Sequence, residues 1–489
     1  MIAIVVSRAD SASAHIGERL LARADWEERT DEELSDAEGG GTYYRRPGLE
    51  LREFDEIHVE LDDPATAFVG DADDSETNPR AGDPADRLDY LAFVSRHSGE
   101  TGPLLTAHFT GNFGEAKYGG EPDALSETAP GAVKRVVEHF TEHAPEGYEA
   151  AVECTHHGPT NVSVPSLFVE LGSAEPQWTD AEAAGGVADA VLGLAGTGPD
   201  FVCADGHPRH LVGFGGGHYA PRFSRIVAET DWAVGHIGSE WNLAAMGAPD
   251  ANRDLLDRAF EASRARHAVV DGTRPELVET LTDLGYRVVS ETWVREVGRT
   301  PLALVSVVED AVGRVDAGVR FGELRPPVDY AGDDAPARVR EELEVLPLPA
   351  DLLAAAQGVD ADAARAAVEK TTVAFDTEHS GSRAAGPAAF AVDADLPGYV
   401  DLVDALAGVL ADGYDEVTIE RDSVVAVEEA FEPSLAAKAG VPEGPEFGKL
   451  AAGEAVEIGG RTIPPEAVRR EQETRFPVER SPAADAPEE

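Results

Sequence analysis

MIAIVVSRADSASAHIGERLL, residues 1–21, is the stretch whose pattern decides the fold class. Residues 2–7 are an apolar run of strand type and length. SRADSAS, residues 7–13, is a polar turn, after which Ile16, Leu20 and Leu21 give a short helical pattern. Outward from there the alternation continues. The patterning predicts strands at 88–95, 149–154, 166–171, 210–214 and 232–237, and helices at 132–143, 181–194, 252–266 and 275–284. Strands alternating with helices indicate an α/β domain with a largely parallel or mixed sheet flanked by helices.

The chain has 489 residues, enough for two or three domains. Its texture changes near residue 298: thirteen of the fourteen histidines precede that point, and only His379 follows it. Residues 1–297 are therefore expected to form a catalytic domain. Residues 298–470 are expected to form a smaller α+β module, with Ala-rich helices at 350–357 and 361–370 and a strand at 417–420, and 471–489 a frayed acidic tail. Stretches 25–41 and 62–87 are acidic and punctuated by Gly and Pro, and read as solvated loops.

Charge is the dominant compositional feature: 93 Asp and Glu stand against 40 Lys and Arg, a formal net of −53. The acid is spread along the whole chain and only five basic residues are Lys. Such a coating repels itself in dilute buffer. In molar salt the Debye length falls to about 3 Å and the repulsion is screened. The composition reads as adaptation to a saline cytoplasm; an acidic interaction surface is the alternative. Net charge then reports the solvent, so a nucleic-acid substrate is not excluded. No run approaches the roughly 18 apolar residues of a membrane span. The opening strand lacks the basic flank of a signal peptide. Two cysteines, Cys154 and Cys203, exclude a disulfide framework and an all-cysteine zinc site. A cytoplasmic monomer away from membranes is expected.

The sequence has no GxxxxGK[ST], no GxSxG and no HExxH, and GFGGGH at 213–218 is not a dinucleotide fingerprint. Three polar clusters follow predicted strands instead: SRHSG (95–99) leading to LTAHFTGN (105–112), ECTHHGPT (153–160) leading to FVELGS (168–173), and GHPRH (206–210) leading to GGGHYA (215–220). Open α/β sheets bind ligands at the carboxyl ends of their strands. Neutral imidazoles are good zinc ligands, and zinc lowers the pKa of bound water to about 7. The clusters therefore suit metal-assisted hydrolysis. Adjacent His156 and His157 cannot both point inward from a regular strand, but from a loop they can. Glu153 and Glu170 are candidate general bases or further ligands, and Gly215, Gly216 and Gly217 could offer N–H groups to an anion. His15, His58, His139, His143 and His267 read as structural or solvated, His108, His207 and His236 are open, and both cysteines read as small buried residues.

At these clusters the sequence resembles the archaeal and plant type of D-aminoacyl-tRNA deacylase. The stretches that carry the resemblance are 2–7, SRHSGETGPLLTAHFTGN (95–112), ECTHHGPT (153–160), PSLFVELGS and QW (165–178), and GFGGGHYAPRFS (213–224). The resemblance implies a metal-dependent carboxylic ester hydrolase, regarded as a zinc enzyme. Such an enzyme frees tRNA from a D-amino acid and so protects translation. The implied fold is related to peptidyl-tRNA hydrolase and purine nucleoside phosphorylase. The motif positions are His97, His108, Asn112, His156, His157, Glu170, His218 and Tyr219. One or two zinc ions are expected, held by His156, His157 and one or both of His97 and His218. Catalytic roles are expected for Glu170, Glu153, His108, Asn112 and Tyr219. Gly215–Gly217, Arg209 and Arg222 are expected to bind substrate, the 3′ terminus of aminoacyl-tRNA.

The acidic insertions and residues 298–489 depart from the family pattern. Within the latter, 435–456 is similar to a segment of tRNA 3′-processing endonucleases of the β-lactamase fold, without their HxHxDH motif; a common helix–turn–strand unit explains it equally well. Two rivals remain. A nucleosidase or phosphorylase would need an Arg-lined phosphate site, with Arg96, Arg209 and Arg222 as candidates. A non-catalytic tRNA-binding protein would use the histidines structurally.

Overall fold

The computed structural model describes residues 1–68 and 83–478. Two compact units divide at Thr300 and Pro301.

In the first unit the opening apolar run is β1 (Ile2–Ser7), buried along its whole length. Asp10 caps α1 (Ser11–Arg23) by accepting from the N–H groups of Ala12 and Ser13. The strands that follow are β2 (Glu27–Asp31), β3 (Gly41–Arg46), β4 (Leu49–Phe54), β5 (Tyr90–Arg96), β6 (Leu104–His108), β7 (Glu149–Val152) and β8 (Ser166–Gly172). They form one sheet in the order β2-β3-β4-β1-β5-β8-β6-β7. β4, β1, β5 and β8 run parallel, while β6 lies antiparallel to β8 and carries β7 parallel to itself. The sheet is mixed. Helices α1, α2 (Pro130–His143), α3 (Glu175–Trp178) and α4 (Ala181–Leu192) accompany it, and the buried faces of α1 and α4 pack together. A second sheet, wholly parallel, has the order β10-β9-β11-β12, from β9 (His210–Phe214), β10 (Ala233–Gly238), β11 (His267–Val270) and β12 (Arg287–Val288). Helices α5 (Pro221–Glu229) and α6 (Glu240–Met246) follow β9 and β10.

Three expectations need correction. Stretch 25–41 is not a loop throughout, because it contains β2, the edge strand of the large sheet. Asp31 at its end meets fully buried Arg52 at 2.7 Å, and Arg52 also binds Glu50 at 2.7 Å and sits 4.0 Å over the Tyr43 ring. A buried cation needs such partners, and they fix the edge. Of stretch 62–87, residues 69–82 lie outside the described residues, while 64–67 and 84–86 form single 3-10 turns. Residues 471–477 are not frayed: they continue a nine-residue strand, Arg469–Pro477, which pairs antiparallel along Ser423–Phe431 and buries Phe476. Residues 479–489 lie outside the described residues.

The second unit is α+β. One sheet joins Arg320–Phe321, Ala374–Glu378, Arg383–Ala391 and Leu343–Pro347, all antiparallel. Helices Ala350–Val359, Ala361–Thr371 and Tyr399–Leu410 bury Leu352, Val368 and Leu406 in a common core with Phe390. The stretch 435–456 is organised about a small separate core that includes Ala436, Val441, Leu450 and Val456.

Candidate active site

The reversal of β6 creates the site. Side chains alternate along a strand, so Phe168 and Glu170 of β8 share a face, as do Thr106 and His108 of β6. The register sets Glu170 opposite both Ser95 and Thr106, and His108 opposite Phe168. Glu170 and His108 therefore stand within strands, not beyond the ends of a parallel sheet. β7 then runs out into Glu153, whose N–H donates to the Ala107 carbonyl. The following segment leaves the sheet. Cys154 N–H donates to the His218 carbonyl at 2.8 Å and Thr155 N–H to the Ile237 carbonyl at 2.9 Å, which ties it to the loop after β9 and to β10. His157 adopts φ +50°, a left-handed conformation, and this break in the strand lets its ring stand 4.4 Å from that of His156.

His108, His156 and His157 converge, with one ligand nitrogen of each within 4.8 Å of the others. Each ring places Nδ1 on a backbone carbonyl: His108 on Phe109 at 3.2 Å, His156 on Cys154 at 2.8 Å, His157 on Gly158 at 2.6 Å. A carbonyl only accepts, so Nδ1 carries the hydrogen, which leaves Nε2 of each ring for another partner. His108 Nε2 is buried without a hydrogen bond and lies 3.5 Å from Glu170 Oε1. A proton or a metal cation is what these two atoms could share. Burial first, and the neighbouring imidazoles second, push His156 well below its ordinary pKa and His157 down to about 4. Both stay neutral near pH 7. Phe168 backs the cluster, stacked on His108 at 5.2 Å.

His97 and His218 behave differently. His97 Nδ1 lies 3.0 Å from Glu153 Oε1 and 3.5 Å from Glu170 Oε2, and its Nε2 meets the Tyr219 hydroxyl at 3.1 Å. His218 Nε2 lies 2.7 Å from Glu153 Oε2, with Nδ1 3.4 Å from Cys154 Sγ. Burial opposes protonation of both rings. For His97 the carboxylates of Glu153 and Glu170 outweigh it, and for His218 Cys154 and Glu153 do; each pKa rises to about 10. Burial would raise the carboxylates, yet His218 and His97 hold Glu153 well below the usual range, and His108 and His97 do the same for Glu170. Of the residues expected as ligands, His156 and His157 converge with His108, His156 also converges with His218 and Cys154, and His97 converges with Glu153 and Glu170, although both ring nitrogens of His97 and His218 are already engaged.

The remaining expected residues divide. Tyr219 touches the cluster through His97. Asn112 does not reach it; its amide donates to the Gly119 and Glu121 carbonyls and shapes the loop they occupy. Gly215 N–H donates to the Gly238 carbonyl and is not available to an anion, and Gly215–Gly217 are not among the residues that line the cavity. Arg209 is fully buried, bonded to Asp205 at 2.7 Å and to the Thr300 carbonyl at 2.9 Å. Arg222 pairs with Asp271 and Glu291, and Arg225 with Glu291. These three Arg residues are thus paired with carboxylates, Arg209 locally and Arg222 and Arg225 with residues far along the chain. Of the Arg residues a phosphorolytic site would need, only Arg96 lines the cavity, so no shared phosphate site forms.

Sequence reading gave no role to Ser95, whose hydroxyl donates to Glu170 Oε1 at 2.8 Å, or to Trp178, whose indole N–H donates to the His97 carbonyl at 2.9 Å. The period-two pairs Ser95/His97 and Phe168/Glu170 carried that signal. His58, read as structural, is buried in the cavity wall. His236 is buried beneath Thr155, while His15, His139, His143 and His267 lie apart from the cluster. The cavity itself measures about 820 Å³ and is lined by His97, His156, His157, His218 and Glu170 among others.

Comparison with known proteins bears on this geometry. A family model described as D-aminoacyl-tRNA deacylase matches residues 85–289. A protein of that name from Halorubrum lacusprofundi is 61% identical, with 100% of this chain and 99% of the relative covered. One from Natronomonas pharaonis is 48% identical over 97% of this chain and 100% of its own length. These relatives share the region after residue 298, so that region is not peculiar to this chain. A crystal structure described as a conserved protein of unknown function aligns with TM-score 0.50 and 27% identity, covering 61% of this chain and 98% of that one.

Proposed function

The chain belongs to the D-aminoacyl-tRNA deacylase family, and from that premise we propose its reaction and the parts its residues play. It hydrolyses the ester of D-aminoacyl-tRNA, releasing tRNA and the D-amino acid. The single observation that carries the site assignment is the convergence of His108, His156 and His157, each with Nδ1 pinned by a carbonyl. Metal-binding histidines commonly donate their second ring N–H in this way, and imidazole nitrogens suit zinc. When bound, zinc supplies a Lewis acid that makes water nucleophilic at neutral pH.

The chain's own groups do the rest. Glu170, held by Ser95, and Glu153 stay ionised and fix His97 and His218 in their charged forms. The His218 side chain is 31% exposed, whereas His97 and His156 are 5% and 14% exposed. His218 is therefore the group placed to protonate the departing ribose oxygen. His97 and Tyr219 hold positive charge and a hydroxyl beside the developing oxyanion. Rejection of L substrates is steric, set by the cavity wall. All these residues precede Thr300, which supports assigning catalysis to 1–297, in a cytoplasmic monomer acting on the 3′ end of tRNA. Kinship of the mixed sheet with peptidyl-tRNA hydrolase and purine nucleoside phosphorylase rests on the sequence resemblance. The test is release of D-tyrosine from D-Tyr-tRNA in molar KCl, with and without a chelator. Activity lost to the chelator and restored by zinc supports the reading; full activity in metal-free protein overturns the metal assignment.

A further inference from the structure

Among the described residues only two aromatic side chains are exposed, Tyr118 at 68% and Trp241 at 45%. Both line the cavity that holds the histidine cluster. A single exposed ring is ordinary; two on one cavity mark a binding surface.

Both stand on rigid supports joined to the histidine segment. The Tyr118 carbonyl accepts from Gly158 N–H at 3.2 Å. Its loop is further held by the Asn112 amide on the Gly119 and Glu121 carbonyls, and by Glu121 N–H on Thr160 Oγ1 at 2.8 Å. Gly119, at φ +85°, packs so closely that a Cβ there would lie 2.4 Å from the Val59 carbonyl oxygen. Trp241 lies in the first turn of α6, and Asn242 beside it donates to the Thr155 carbonyl at 3.1 Å, next to His156. Lys117, one of five lysines in a chain of net charge −53, also lines the cavity and is largely exposed, its Nζ 3.8 Å from the exposed Glu115 carboxylate, a solvated pair that a phosphate can replace.

Resting on the deacylase reading above, we propose that Tyr118 and Trp241 are the stacking surface for the unpaired nucleobases at the 3′ end of the tRNA, with Lys117 set for the adjoining phosphate. Every base has a π face, so stacking on aromatic rings gives affinity without sequence choice. Molar salt screens phosphate attraction beyond about 3 Å but leaves stacking largely intact. An acidic chain working in such salt needs affinity of that kind. The cavity lies within the ~300–1,000 Å³ range of small-ligand sites, suited to one aminoacyl-nucleoside rather than a helix.

The test uses the full-length protein in about 2 M KCl, where screening is near complete. Binding of an uncharged CCA trinucleotide is measured by calorimetry, and deacylation of D-Tyr-tRNA by steady-state kinetics. Tyr118→Ala and Trp241→Ala should each weaken trinucleotide binding, and raise KM, by roughly 5- to 100-fold with kcat within about twofold. The Phe variants at both positions should stay within about threefold of wild type, since the π face is kept. Lys117→Gln should produce a smaller rise. Unchanged trinucleotide affinity and KM in both Ala variants, or no trinucleotide binding by the wild type, would overturn the stacking surface while leaving the hydrolase reading intact. A wild type that binds the trinucleotide through these rings yet leaves D-Tyr-tRNA uncleaved would sink the hydrolase reading and uphold the surface.

Discussion

His156 Nδ1 donates to the carbonyl of Cys154, two residues earlier in the same loop and 2.8 Å away. This contact decides which nitrogen faces the cavity. With Nδ1 occupied, Nε2 is the available ligand, and the same holds for His108 and His157. His97 and His218 have no such free nitrogen. Replacing His108, His156 or His157 by Ala should therefore abolish stoichiometric zinc and lower kcat by orders of magnitude. His97→Gln should keep zinc but lose roughly 10- to 100-fold in turnover, as outer-shell substitutions do. Elemental analysis of each purified variant checks this; zinc lost equally from His97→Gln would return His97 to the ligand set.

A second expectation concerns acid stability. Phe201 N–H donates to His210 Nε2 at 2.9 Å while Nδ1 donates to the Ser263 carbonyl at 2.9 Å, so the buried ring is locked neutral. Burial pushes His210 down to about 4. An unfolded histidine titrates near 6.5, so between those values the unfolded state binds the extra proton. Stability is full above about pH 6.5 and falls as pH drops toward 4, by about 1.4 kcal/mol per unit for this one ring. Denaturant titrations at several pH values in constant high salt measure the slope. His210→Gln keeps one donor and one acceptor but does not titrate, and should flatten that slope.

The histidines were legible because polar groups beside small residues at the ends of apolar runs are out of place in a core. The partners of each nitrogen were not legible. They depend on backbone carbonyls and on the reversal of Leu104–His108, a five-residue strand whose direction no local pattern reports. The edge strand Glu27–Asp31 was hidden for another reason. In so acidic a chain an exposed strand face carries the same Glu and Asp as a loop, and the pairing of Asp31 with Arg52 is a tertiary fact. Arg469–Pro477 is the same case, with Phe476 its one well-buried side chain. That Arg222, expected to bind substrate, is instead paired was hidden because its partners Asp271 and Glu291 lie far along the chain.

Division of labour gives a third expectation. The first unit closes at Thr300, whose carbonyl accepts from buried Arg209. A fragment of residues 1–300 should fold in high salt and cleave D-Tyr-tRNA with kcat close to that of the full chain. Loss of activity in a fragment whose circular dichroism shows it folded would give the second unit a part in catalysis or tRNA docking.

Salt dependence gives the last. Ordinary protein–RNA binding weakens with salt, with a log–log slope of about −0.7 per phosphate neutralised on a single strand. Here Arg209, Arg222 and Arg225 are already committed to carboxylates, which removes three cations from any phosphate count. Arg96, also at the cavity, lies 5.4 Å over the Trp178 ring. With so few free cations near the site, the KM for D-Tyr-tRNA should change little between about 1 and 3 M KCl, where the Debye length is about 3 Å or less. Removing salt should instead abolish activity, because the net charge of −53 is no longer screened and the fold is lost. Circular dichroism and KM measured on the same samples separate the two effects. A steep, continuous rise of KM across the molar range, in protein that remains folded, would mean that many phosphates are gripped, and recognition of the 3′ end alone would have to be abandoned.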